Sequence, residues 1–249
     1  MILRKIAEAL RAQSWFTVIL EVLIVVVGIF VGLQVDSWNE SRKDRTKEHA
    51  YLIRLHGDIE RDAELLDRSI AQSKRWTDGV VYAWRALSDA SLINGHPCRF
   101  VAGIQRASFN FFPVLYDQTF SEIVSSGHLG LIRSSELKDN LSRYYTAHES
   151  AEQWMDSYRD VNVNYGTLFA GILNRRQLQA VNKFENDGEC EITDEEAQSA
   201  RERFLDHPTL KDWLPRLENR QNSLAQRLHR SLNYNNDLSV VLSNELAKF

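Results

Sequence analysis

Side chains able to bind a metal or attack a substrate are few in this sequence, and they are scattered. His148 and Glu152 stand four positions apart, and His49 and His56 stand seven apart, so each pair shares a helical face. An imidazole beside a carboxylate can begin a metal site, but a site needs a third ligand and the pattern places none. The serines of SSGHLGLIRSS, Ser125, Ser126, Ser134 and Ser135, serve better as helix caps and turn residues than as nucleophiles. Phe109, Phe111, Phe112, Tyr116 and Phe120 either line an apolar pocket or pack a core, and core packing is what aromatic side chains ordinarily do. No G-x-S-x-G, phosphate-binding loop, H-E-x-x-H or dinucleotide glycine motif occurs. The expectation is therefore no catalytic residue, no metal and no cofactor: a protein that is not an enzyme.

One carboxylate is out of place. Glu21 is the second residue of the stretch LEVLIVVVGIFVGLQV, Leu20 to Val35, which is otherwise aliphatic, aromatic or small up to Gln34. The apolar run over residues 16–35 has about the 20-residue length that crosses a bilayer's hydrocarbon. Trp15 and Trp38 bracket it, roughly 34 Å apart on a helix rising ~1.5 Å per residue, which puts an indole at each interface. No small-x-small cleavage site follows, so the run reads as an uncleaved signal anchor. At about 100° per residue, Gly28 and Gly32 fall within about 20° of Glu21, with Val25 between them. Glu21, Val25, Gly28 and Gly32 thus form one stripe. Gly28-x-x-x-Gly32 is a spacing that lets a second helix approach closely, so the stripe is a candidate helix–helix interface in a homo-oligomer or with a membrane-protein partner. Glu21 either reaches back to the headgroup region or meets a neighbouring helix, where an acid would be functional.

The flanks bear on orientation. Arg4, Lys5 and Arg11 precede the run, and Arg42, Lys43, Arg45 and Lys47 follow it among acids that cancel their charge. In residues 1–15, Ile2, Leu3, Ile6 and Leu10 oppose Arg4, Lys5, Glu8 and Arg11, as suits an amphipathic segment on an anionic cytoplasmic leaflet. A large domain translocates regardless of its charge. The expected organisation is a cytoplasmic segment over 1–15, a transmembrane helix over 16–35 and an extracytoplasmic domain over 36–249. Cys98 in NGHPCRF and Cys190 in NDGECEIT are the two cysteines of the chain, and both lie in turn-rich stretches. In such a domain they read as one disulfide, the alternative being two free thiols in a cytosolic domain.

Composition and periodicity supply the scaffold. Four prolines and eleven glycines in 249 residues leave long helices uninterrupted. A net charge of −4 excludes the basic surplus of a nucleic-acid binder. From Asn39 to about Asp89 the chain reads as one helix, bent at Gly57 or Gly79, with Leu52, Leu55, Ile59, Ala63, Leu66 and Ile70 on one face. Thr119 with Glu122 has the spacing of a capping box, Gly127 suits a left-handed stop, and Ser134 or Ser135 caps a helix whose apolar stripe runs from Leu137 to Ile172. NKFENDGECEI reads as a loop. Thr193 with Glu196 is a second capping box, opening a helix to about Leu205. A last helix starts at Pro215 and carries Leu217, Leu224, Leu228, Leu232, Leu238, Leu242 and Leu246. With no period-two strands, the fold class is all-α: a transmembrane helix continuing into a long-helix bundle.

Glu21, Gly28, Gln34, Trp38, Asn39 and Glu40, together with the block TFSEIVSSGHLGLIRSSELKDNLSRYY, resemble the two shared blocks of an uncharacterised bacterial single-pass inner-membrane family. About a third of the chain carries the resemblance. It implies anchoring in a bacterial inner membrane and a periplasmic helical domain, and no activity. The functional expectation is a membrane-anchored interaction or scaffold protein. The alternatives are an ion-coupled or force-transmitting accessory subunit using Glu21, and a bundle that senses a small molecule.

Overall fold

A computed structural model describes the backbone of residues 15–249 and the side chains of 19–184 and 188–249. The amphipathic segment expected over 1–15 and the Trp15 indole lie outside the described residues. The chain divides into two compact units, residues 1–51 and 52–249. Among the described residues every element is helical, and the protein is all-α.

In the first unit, α1 (Trp15–Ser88) begins as an apolar helix whose stretch from Ile19 is long enough to cross a membrane and is wholly exposed. The charged turns that follow carry an Arg45–Glu48 pair at 3.3 Å.

In the second unit, α1 continues unbroken through Gly57 and Gly79. It buries Leu52, Leu55, Ile59, Leu66, Val80, Ala83 and Leu87, close to the periodic stripe read from the sequence. The remaining α-helices are α2 (Pro97–Gln105), α3 (Gln118–Ser125), α4 (Ser135–Asp156), α5 (Arg159–Phe169), α6 (Arg175–Asp187), α7 (Asp194–Asp206) and α8 (Leu210–Leu246), with short 3-10 turns at Ala90–Ile93 and His128–Leu131. The most extensive helix–helix packing is between α4 and α8. They run antiparallel: Tyr144 meets Asn235, and Trp154 meets Arg227. α1 meets both through Asp62, bonded to Tyr144, and the Ile59 carbonyl, bonded to Asn235. A second set of buried residues gathers the end of α1, α2, α5, α6, α7 and the start of α8 around Phe100, Tyr165 and Phe204. The Cys98–Cys190 disulfide, Cα atoms 5.7 Å apart, ties α2 to the segment before α7.

Local signals in the sequence match the structure at several termini. Ser134 caps α4 by accepting from Leu137 N–H, Thr193 and Glu196 form a reciprocal capping box, and Gly127 is left-handed at φ 73°. Four boundaries differ. Asp117, not Thr119, precedes α3, because the Thr119 hydroxyl is spent on Asp58. The helix expected from Leu137 to Ile172 breaks between α4 and α5, where the Ser157 hydroxyl donates to the Trp154 carbonyl and so competes with the helical ladder. Part of NKFENDGECEI is helical: Asn174 and Gln177 form a capping box that starts α6, and left-handed Gly188 ends it. Finally, α8 begins at Leu210, ahead of Pro215. The proline forfeits one early backbone bond, but Leu210 and Leu214 are fully buried and their packing holds the extra turn.

Candidate functional site

Glu21, Val25, Gly28 and Gly32 all lie on the exposed apolar part of α1. A Cβ built on Gly28 or Gly32 meets nothing within 4 Å, so the stripe is open along its length. Trp38 is exposed as well. Among the described residues the first unit supplies no second element against which these residues could form a site.

The histidine pairs do not become metal centres, and among the described residues no cluster of His, Cys, Asp or Glu could hold an ion. His148 is buried against the Phe112 ring and lies 3.3 Å from Glu152. Burial pulls its pKa below the usual imidazole value despite that carboxylate. His56 lies near Glu60 and Ser243, which are other partners than His49. The aromatic cluster also disperses. Phe112 is buried, Phe120 stacks on Tyr145 at 4.4 Å, Phe111 faces outward, and Phe109 meets Trp76 edge-on at 6.0 Å.

Two constellations were missed. The first centres on Asp62, which is completely buried where α1, α4 and α8 meet. Its carboxylate accepts from the Tyr116 backbone N–H at 2.8 Å and from the Tyr144 hydroxyl at 2.9 Å. Asn235 donates to Tyr144 Oη and to the Ile59 carbonyl. One turn earlier, Asp58 accepts from Thr119 and from Arg61, each at 2.5 Å. Burial raises the Asp62 pKa to about 6, a rise that its two hydrogen bonds oppose and Asp58 adds to. The network fastens the segment around Tyr116 and Thr119 to three long helices. Every oxygen of Asp62 is occupied, so it is built to hold the fold rather than to meet a substrate.

The second constellation lies on α8. Arg220 is only 6% exposed. Its Nη1 donates to Asn162 Oδ1 at 2.8 Å, and its guanidinium lies over the Tyr158 ring at 4.4 Å. Nε and Nη2 are buried without a hydrogen-bond partner, and no carboxylate among the described residues pairs with it. Burial lowers its pKa to about 10, so it is still a cation at neutral pH. Asn162 passes the contact on to Asn110 at 3.1 Å, and Gln221 donates to the Phe109 carbonyl. A cavity of about 260 Å³ beside Arg220 has Trp213, Val161, Arg216 and Ser223 in its wall.

Spacing could have revealed both constellations. Asp62 stands three after Ile59 and four before Leu66, within the buried stripe of α1. Arg220 and Gln221 stand three and four after Leu217, within that of α8. A polar residue at a stripe position is buried by register, and burial then demands partners.

No family model, curated protein or solved structure matches this chain.

Proposed function

We propose that this protein is a membrane-anchored helical interaction protein. Its apolar segment spans a bacterial inner membrane with the N-terminus in the cytoplasm, and the helical unit stands on the periplasmic side. The stripe of Glu21, Val25, Gly28 and Gly32 then binds a second copy or a membrane-protein partner. The observation that carries this reading is the exposed aliphatic surface of α1. Ile24, Ile29, Phe30, Val31 and Leu33 are each more than half exposed. A contiguous apolar surface of this kind marks contact with lipid or protein, not with water. The disulfide supports the placement of the helical unit, since such bonds persist in oxidising compartments. The open flank of Gly28 and Gly32 supports the helix contact.

The test is a pair of C-terminal fusions in a bacterial host, with the membrane fraction washed at alkaline pH. Retention in the washed membrane with an active alkaline phosphatase fusion is the expected result. Release by the wash overturns the anchor. A cytoplasmic reporter active at the same site overturns the orientation.

A further inference from the structure

We infer that the cavity beside Arg220 is a binding site for a small organic carboxylate with an apolar body. The argument begins with charge. Moving an unpaired cation out of water is unfavourable unless other groups replace its hydration. Arg220 receives one amide oxygen and one aromatic face, and two of its nitrogens have no partner. Those nitrogens belong to a planar fork whose geometry matches a carboxylate.

The cavity wall agrees. Arg216 stands one helical turn before Arg220 on α8, its guanidinium 5.9 Å from the Trp213 ring centre. It has no acidic partner among the described residues. Two cations therefore border one cavity that no carboxylate lines. Trp213, Tyr158 and Val161 make the rest of the wall mainly apolar, with Asn219 and Ser223, whose hydroxyl donates to the Asn219 carbonyl, as further polar residues. A wall of this kind suits a ligand with one anionic end and a flat or branched hydrocarbon body. Arg220 borders the cavity, while its Nε and Nη2 are themselves buried. Binding then requires the guanidinium to turn this edge toward the ligand while Tyr158 continues to stack on it. The site lies wholly within the unit 52–249, so it does not depend on membrane insertion or on the helix stripe.

Titration calorimetry on the full chain in a neutral detergent tests the inference, with benzoate, phenylacetate and indole-3-acetate as probes. Phenylacetamide and inorganic phosphate are the controls. Saturable binding of at least one carboxylate at micromolar to millimolar concentration is expected. The amide and phosphate should bind at least about tenfold more weakly, as should the carboxylate to Arg220→Gln. Arg216→Gln and Val161→Trp, which fills the cavity, leave the buried Arg220 in place and should also weaken binding if Arg220→Gln fails to fold. Three results overturn the proposal: equal affinity for the amide, carboxylate binding unchanged in Arg216→Gln and Val161→Trp, or no carboxylate binding at millimolar concentration.

Discussion

Gly79 and Gly103 bring the backbones of α1 and α2 into direct contact. A Cβ on Gly103 would press into the Gly79 carbonyl oxygen and lie 2.9 Å from Ala83 Cβ and 3.0 Å from the Gly79 carbonyl carbon. A Cβ on Gly79 would lie 3.4 Å from the Gly103 Cα, at the edge of ordinary contact. The crossing therefore requires glycine on one side and tolerates alanine on the other. Gly103→Ala should cost about 1–3 kcal/mol by forcing the helices apart. Gly79→Ala should be near neutral, because up to about 1 kcal/mol of helix propensity offsets the tighter fit. Thermal unfolding followed by circular dichroism ranks the two variants, and the opposite order would refute this account of the crossing.

Asp62 should make stability depend on pH in a definite direction. Its pKa is raised in the folded state from 3.8 to about 6, so folding takes up a proton between these values. The protonated form is the better accommodated one: its contribution is fully present below about pH 4 and is lost as pH rises through about 6. A shift of this size corresponds to roughly 3 kcal/mol at most. Asp62→Asn resembles the protonated acid in shape and cannot ionise. The stability difference between variant and parent should be small near pH 4, should grow in favour of the variant up to about pH 6.5, and should then level off. His148, whose lowered pKa acts with the opposite sign, is present in both proteins and cancels in the difference. A difference that does not change with pH would rule out this role for Asp62.

The Cys98–Cys190 bond closes a loop of 92 residues, for which chain-entropy estimates give about 4–5 kcal/mol. The double variant Cys98→Ala, Cys190→Ala should unfold at clearly lower denaturant concentration than the oxidised parent. Mass spectrometry of unreduced protein from the cell envelope checks the bond itself. Two alkylatable thiols there would remove both the bond and the support it lends to a periplasmic placement.

For the membrane stripe, Gly28→Leu and Gly32→Leu leave the helix hydrophobic while adding bulk where two backbones should meet. Both should insert normally and lose association in a membrane two-hybrid assay. Unchanged association in both would eliminate the interface.

Glu21 separates hydrogen bonding from charge. If its charge holds a partner, Glu21→Asp keeps association while Glu21→Gln and Glu21→Ala lose it. If hydrogen bonding suffices, Glu21→Gln keeps it too. If all three associate like the parent, the carboxylate merely reaches the interface, and neither a contact nor ion coupling involves it.

The helical class, the apolar segment, the stripes of α1 and α8 and the N-caps of α4 and α7 are legible in the sequence. These are local properties: a stripe recurs every three to four residues, and a capping box spans one turn. The sequence also proposed the Cys98–Cys190 pairing, since with two cysteines only one pairing exists, although compartment and geometry had to be assumed. Local pattern failed where long-range packing outweighed it. Thr119 has a capping spacing, yet its hydroxyl goes to Asp58, 61 positions away. Pro215 marks a helix start, yet buried Leu210 and Leu214 extend the helix past it. That Asp62, Tyr144 and Asn235 meet, and that Arg220 lies over Tyr158 with no acid beside it among the described residues, follows from long-range packing alone. Periodicity says that a residue is buried but not against what, because its neighbours come from distant parts of the chain. Those neighbours set the desolvation and the hydrogen bonds on which the chemistry of a buried polar group depends.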